Sequence, residues 1–96
     1  MPVYFVRAGQ TDLVKVGFAW DPDRRLRTLQ SANAERLHII EKVPGSRAVE
    51  RRFHKALTRL GLHVRGEWFR IAGEAPDDID RLEKLVARRE AGVVPC

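Results

Sequence analysis

Three side chains with complementary chemistry occur early in the chain: Tyr4, Lys15 and Arg25. A phenol can transfer a proton, whereas an ammonium and a guanidinium group bind anions such as phosphate. A β-hairpin followed by a helix can hold all three around one concave surface. The stretch from Val3 to Gln30 is therefore expected to carry the functional site.

The hairpin is predicted from two short apolar runs around a turn. Val3–Val6 is rich in β-branched and aromatic residues, residues 8–12 have turn chemistry, and Val14–Phe18 alternates between apolar and other residues. If the two strands pair in register, Tyr4 and Lys15 share one face of the sheet.

The helices are predicted from their end signals and apolar periodicity. Asp21 can cap free N–H groups and Pro22 suits the first helical position. Ser46 is a good N-cap for a second helix, Gly61 is its C′ glycine, and Pro76 opens a third helix. The elements predicted after the hairpin are a helix over 22–30, a strand over 37–43, a helix from Ser46 to about Leu60, a short strand within 66–71 and a last helix that ends near Arg89. The apolar stripe of this last helix is expected to face inward and consists of Ile79, Leu82, Leu85 and Val86.

The element order β-β-α-β-α-(short β)-α predicts a fold of the α/β (α+β) class. We expect a small single-domain sandwich with a mostly antiparallel three-stranded sheet and flanking helices. A chain of 96 residues makes one domain with a small core. The site is expected within residues 2–71, a C-terminal helix packed on the same domain within 72–90, and a flexible tail over 91–96.

The composition argues against a membrane protein and a disulfide-bonded one. No apolar run approaches the ~20 residues of a membrane span. The start of the chain lacks an apolar signal-peptide segment, so we expect a cytoplasmic protein. The one cysteine, Cys96, leaves no internal disulfide, which fits a reducing compartment.

Positive charge is concentrated where the distinctive residues lie. Residues 1–73 carry 14 Lys and Arg against 7 Asp and Glu, whereas residues 74–96 carry 4 against 6. Such a surface attracts phosphate backbones, although a solvated Arg-rich surface is the alternative. The residues expected to contact nucleic acid are Arg24, Arg27, Arg47, Arg51 and Lys55, with Arg52, Arg59 and Arg65 as further candidates.

Five short motifs follow one another along the first 71 residues. They are Pro2-Val3-Tyr4, Lys15-Val16-Gly17, Arg25 eight residues after that glycine, Glu50 with His54 four residues later, and Gly66-Glu67-Trp68-Phe69. This ordered set resembles the GIY-YIG nuclease superfamily, in the short variant branch of phage and bacterial proteins. In this sequence Lys15 stands at the aromatic position of the second motif and Pro2 at the leading glycine of the first.

The resemblance implies that residues 2–71 are a GIY-YIG-like nuclease domain with one divalent metal ion, Mg²⁺ or Mn²⁺, held by Glu50. One carboxylate can suffice for Mg²⁺, which keeps several water ligands. The sequence shows neither a second carboxylate at metal spacing nor a Cys/His cluster, so zinc is not expected.

The resemblance also implies a catalytic role for each remaining site residue. Arg25 would donate to the scissile phosphate, and Tyr4 would position or deprotonate the attacking water. Lys15 would lower the pKa of Tyr4 or protonate the leaving group, and His54 would order the metal-bound water or contact phosphate.

Four of these residues have a structural alternative, which for Tyr4 is a half-buried strand aromatic. Glu50 could simply pair with Arg47 or Arg51. Lys15 could be an exposed strand residue, and His54 could be a structural helix histidine.

Alternatives also remain open for residues outside the proposed catalytic set. Arg24 and Arg27 could form a solvated basic face. Trp20 could contact DNA or be buried. Glu67 could support the metal or form a salt bridge, while Trp68 and Phe69 are expected to fill the core.

The sequence therefore favours a metal-dependent endonuclease acting on DNA. The alternatives are a non-catalytic nucleic-acid-binding module of the same fold and a protein-interaction domain with a basic surface. Nothing in the sequence chooses between DNA and RNA. Any sequence preference would come from groove contacts, a partner or a homodimer.

Overall fold

Five strands and three helices make up residues 2–92, which are the residues that the computed structural model describes. The strands are β1 (Pro2–Ala8), β2 (Leu13–Phe18), β3 (Leu37–Pro44), β4 (His63–Arg65) and β5 (Trp68–Arg70). The helices are α1 (Pro22–Gln30), α2 (Arg47–Arg59) and α3 (Ile79–Glu90). Within this range no helix is long and apolar enough to cross a membrane. Residues 93–96 of the predicted tail lie outside the described part.

The strands form one antiparallel sheet in the order β3-β1-β2-β5-β4. The predicted α+β class and element order are confirmed, but the sheet has five strands rather than three. The additional strand β4 pairs with β5 across Gly66, whose φ of +55° lies in the left-handed region that glycine favours. All three residues of β4 are exposed, so the sequence there lacks the apolar alternation that reveals a strand.

Helices cover both faces of the sheet. Val6 pairs with Lys15 and Tyr4 with Gly17, so Tyr4 and Lys15 share a face, as the hairpin register predicted. The α1 residue Leu26 packs against the cluster on this face. The larger cluster lies on the other face and joins α2 and α3 to the sheet through Val3, Phe5, Val14, Val16, Phe53, Leu57, Leu82 and Val86.

The predicted starts of α1 and α2 are confirmed by their caps. The Asp21 carboxylate accepts a hydrogen bond from the backbone N–H of Arg24 at 3.1 Å, and Pro22 occupies the first turn. The Ser46 hydroxyl accepts from the N–H of Ala48 at 3.2 Å. These caps fix where each helix leaves the sheet, and hence where its first turn meets the site.

The last helix starts later than predicted. It begins at Ile79 rather than at Pro76, because the Asp78 carboxylate accepts from the N–H of Arg81 and so acts as the N-cap. Its apolar stripe is also narrower than predicted. Leu82 is 7% exposed whereas Leu85 is 51% exposed, since Leu85 lies about 90° around the helix from the stripe that faces the core.

Ion pairs on the outer side of α2 complete its contact with α3. Arg52 pairs with Asp80 and Glu83, and Arg59 pairs with Glu90. These two arginines were candidate nucleic-acid contacts, but their guanidinium groups are engaged within the fold. Exposed pairs of this kind orient α3 more than they stabilise it.

Replacing Leu82 with Ala should destabilise the protein by about 2–5 kcal/mol, because it leaves a cavity between α3 and the core. The matched variant Leu85→Ala should change the free energy of unfolding by no more than about 0.5 kcal/mol. Urea unfolding monitored by circular dichroism measures both. Equal effects of the two variants would contradict the packing described for α3.

Candidate active site

The site is built around a close contact between Tyr4 on β1 and Gly17 on β2. The two residues face each other across the hairpin, and a Cβ at position 17 would overlap the Tyr4 hydroxyl and ring. Glycine at position 17 therefore makes room for the phenol to lie across β2. The requirement for glycine at the third position of the Lys15-Val16-Gly17 motif is therefore steric in this fold, and it holds whether or not the motif resembles that of a known family.

The Tyr4 phenol is buried and neutral at ordinary pH. Burial raises its pKa above the usual value of 10.0, and the negative charges of Glu67 and Glu50 act in the same direction. The Arg25 guanidinium opposes this shift and is the nearest favourable influence on the phenolate. Arg25 from α1 and Glu50 from α2 therefore both act on the Tyr4 phenol of β1.

Lys15 is buried on the same sheet face as the phenol and is not an exposed strand residue. Its ammonium group pairs with the Glu67 carboxylate at 2.8 Å and lies 5.8 Å from the centre of the Trp68 ring. Glu67 sits in the turn between β4 and β5, so this hairpin delivers a carboxylate to the site. Glu67 was expected either to support a metal ion or to form a salt bridge, and the salt bridge is observed.

Glu50 projects from the first turns of α2 with its side chain 7% exposed. It forms no ion pair within residues 2–92, so the alternative pairing with Arg47 or Arg51 is not observed. Burial raises the pKa of Glu50, and the Glu67 carboxylate raises it further, while His54, Arg47 and Lys15 lower it. A buried carboxylate next to another carboxylate is a favourable place for a cation.

Glu50, His54 and Glu67 form the cluster with the donor atoms that a metal ion requires. One ligand atom from each lies within 4.8 Å of the others. The ring of His54 is held by a contact of 2.6 Å between Nε2 and the Val16 carbonyl oxygen and by the Phe69 ring, 5.2 Å away between centroids. Two carboxylates and an imidazole suit a divalent ion. No spacing along the chain marks Glu67 as a metal ligand, because only the folded hairpin carries it to α2.

The basic residues predicted to bind nucleic acid divide into two groups. Arg47 and Arg51 occupy the flank of α2 that also carries Glu50, and Arg24 and Arg27 are exposed on α1. Lys55 lies on the side of α2 that faces α3, where it lines a small cavity with Arg52 and Glu83. Of these residues, Arg47 acts on a carboxylate of the site, since it lowers the pKa of Glu50.

An exposed aromatic residue extends the rim next to this basic group. Trp20 is 73% exposed and meets the Phe18 ring edge-on, with 6.1 Å between ring centroids. The Arg47 guanidinium lies over the same Phe18 ring at 5.3 Å. Of the two alternatives for Trp20, burial is therefore excluded, and the contact of Arg47 with Phe18 is a feature that the sequence analysis missed.

The family model of the T5orf172 domain matches residues 1–89. The chain belongs to the T5orf172 domain family. This is a phage-associated domain found in the context of GIY-YIG and HNH-like endonucleases. The matched region includes every residue of the site described above. No curated protein and no solved structure matches the chain.

The titration of Tyr4 can be followed directly because it is the single tyrosine of the chain. We expect the ultraviolet absorbance of tyrosinate to report a pKa above 10.0. Arg25→Gln should raise this pKa further, since the cation that favours the phenolate is lost, whereas Arg24→Gln should leave it unchanged. A lower pKa in Arg25→Gln would contradict the geometry. Circular dichroism at each pH controls for unfolding.

The contact between Tyr4 and Gly17 predicts a coupled effect of substitutions on stability. Gly17→Ala should cost about 1–3 kcal/mol, because the new methyl group displaces the phenol. In a Tyr4→Ala background the same change should cost less than about 0.5 kcal/mol, since the overlapping group is absent. Urea unfolding of the two single variants and the double variant measures this coupling. Equal costs in both backgrounds would show that the steric contact is not formed.

Proposed function

We propose that this protein is a metal-dependent endonuclease of the GIY-YIG type that hydrolyses phosphodiester bonds in DNA. The observation that carries the proposal is that charged groups from separate elements act on the buried Tyr4 phenol: Arg25 lowers its pKa, Glu67 and Glu50 raise it, and Glu67 is paired with the buried Lys15. Phosphodiester hydrolysis needs an oriented water, positive charge at the phosphoryl oxygens and assistance for the leaving oxygen. This set of residues supplies a group for each need.

Arg25 is the residue suited to bind the scissile phosphate. Its planar guanidinium offers parallel donors that match two phosphate oxygens, and it lies at the exposed edge of the buried phenol. Tyr4 orients the attacking water through its hydroxyl. A phenol whose pKa is raised by burial is a poor base near neutral pH, so orientation is favoured over proton abstraction.

Lys15 is placed to assist the leaving oxygen. Its ammonium group is a proton donor on the same sheet face as the phenol, and it pairs with Glu67 at 2.8 Å. Glu50 would hold Mg²⁺ or Mn²⁺, which when bound supplies Lewis-acid stabilisation of charge on phosphate and a more acidic water. His54 and Glu67 border the same position and fit such an ion.

DNA binding in this proposal is electrostatic and largely independent of sequence. The formal net charge of +5 and the exposed arginines beside the site favour contact with phosphates. The burial of Lys15, Tyr4 and Glu50 also argues against a pure protein-interaction domain, whose surface would not need these residues buried.

The test is cleavage of supercoiled plasmid with Mg²⁺, with Mn²⁺ and with chelator, at low and moderate salt. The wild type should nick the plasmid only with metal. Glu50→Ala and Arg25→Ala should each reduce the rate on the order of 100-fold or more, since each removes stabilisation of transition-state charge. The matched controls are Glu74→Ala and Arg88→Ala, both at exposed positions, and they should retain cleavage.

The other outcomes separate the proposal from its alternative. Salt-sensitive DNA binding without cleavage by the wild type would favour a non-catalytic nucleic-acid-binding module. Cleavage that persists in Glu50→Ala would place the reaction elsewhere and overturn the assignment of this site.

A further inference from the structure

We propose that the metal ion is held by three protein ligands, Glu50, His54 and Glu67, and that the site therefore binds Mn²⁺ more tightly than Mg²⁺. The inference deepens the proposed function, on which it rests for the role of the ion in cleavage. Binding of the ion can nevertheless be measured without any cleavage.

The first argument is the state of the His54 ring. Its Nε2 lies 2.6 Å from the Val16 carbonyl oxygen, which can only accept a hydrogen bond. Nε2 therefore carries the proton, and Nδ1 is the nitrogen left to bind a cation. Imidazole ligands of metals commonly have their second nitrogen fixed by a carbonyl or carboxylate in this way. The Phe69 ring limits rotation of the imidazole from the other side.

The second argument is the burial of Glu50. Its side chain is 7% exposed, and no cationic side chain within residues 2–92 forms an ion pair with it. A largely buried carboxylate without an ion-pair partner is stabilised when a cation approaches it, and no oxygen of Glu50 is sealed from solvent, so an ion can reach it. A ligand atom of Glu50 lies within 4.8 Å of one from His54 and one from Glu67, a separation that a single bound ion can span.

The third argument is the charge on the Glu67 side of the cluster. One carboxylate oxygen of Glu67 contacts the Lys15 ammonium at 2.8 Å, which leaves the second oxygen to bind an ion. Two carboxylates against one ammonium leave an excess of negative charge around His54. Lys15 thus competes with a metal ion for the Glu67 carboxylate. It lowers the affinity of the site for the ion, because like charges repel strongly in a partly buried site.

The nitrogen donor determines which metal the site favours. Mg²⁺ prefers oxygen ligands and dehydrates reluctantly, whereas imidazole is a good ligand for first-row transition ions. A site made by Glu50 alone would offer oxygen only. Participation of His54 should therefore appear as selectivity for Mn²⁺ over Mg²⁺ that disappears when the imidazole is removed.

The experiment is a titration with Mn²⁺ near neutral pH in the absence of nucleic acid, followed by electron paramagnetic resonance of free Mn²⁺. Glu50→Gln, His54→Gln and Glu67→Gln should each weaken binding about 10-fold or more. The matched controls His38→Gln and Glu74→Gln lie at exposed positions and should bind as the wild type does. Circular dichroism confirms that each variant is folded.

Two further measurements report the ligand roles specifically. Competition with Mg²⁺ should show Mn²⁺ selectivity in the wild type and a clear loss of it in His54→Gln. Lys15→Met should tighten Mn²⁺ binding, since it removes the competing cation beside Glu67. An affinity for Mn²⁺ that is unchanged or weaker in Lys15→Met would contradict direct binding of the ion by Glu67.

Failure of this inference is distinguishable from failure of the proposed function. If His54→Gln and Glu67→Gln bind Mn²⁺ within about twofold of the wild type while Glu50→Gln does not, the three-ligand site is wrong and the nuclease proposal stands. If all three variants lose Mn²⁺ but the wild type cleaves no DNA, the metal site stands and the nuclease proposal falls.

Discussion

The cross-strand contact between Tyr4 and Gly17 is the constraint on which the rest of the site depends. The pairing of β1 with β2 sets both residues opposite each other, and the missing side chain at position 17 lets the phenol lie across the neighbouring strand. The same register puts Lys15 on the same face as Tyr4. A shift of one residue would send every one of these side chains to the other face of the sheet.

Three separate elements then add charged groups around this contact. Helix α1 brings Arg25, α2 brings Glu50 and His54, and the β4–β5 hairpin brings Glu67. Burial raises the pKa values of Tyr4 and Glu50, the neighbouring carboxylates raise them further, and the nearby cations partly offset these shifts. Arrangements of this kind cost stability and are typical of functional sites.

The opposite face of the sheet carries the larger apolar core of the fold. Its core of valines, phenylalanines and leucines from the sheet, α2 and α3 contains no buried charge. This packing, with the ion pairs of Arg52 and Arg59, keeps α2 in a fixed position. Since Glu50 and His54 project from α2, the apolar core on one side of the molecule determines the geometry of the polar cluster at its edge.

Local chemistry determined a large part of this structure from the sequence alone. The alternation of the hairpin, the Asp21-Pro22 start and the Ser46 cap predicted strands, helices and the shared face of Tyr4 and Lys15, because these signals act over a few residues. Two predictions about α3 are wrong. The helix begins later because Asp78 is its N-cap, and Leu85 is exposed because it lies outside the stripe of residues that packs on the core. Tertiary structure alone decided that exposed β4 pairs with β5 and that Glu67 meets Glu50 and Lys15. Contacts between residues distant in the chain follow from the packing of whole elements, and no local pattern encodes them.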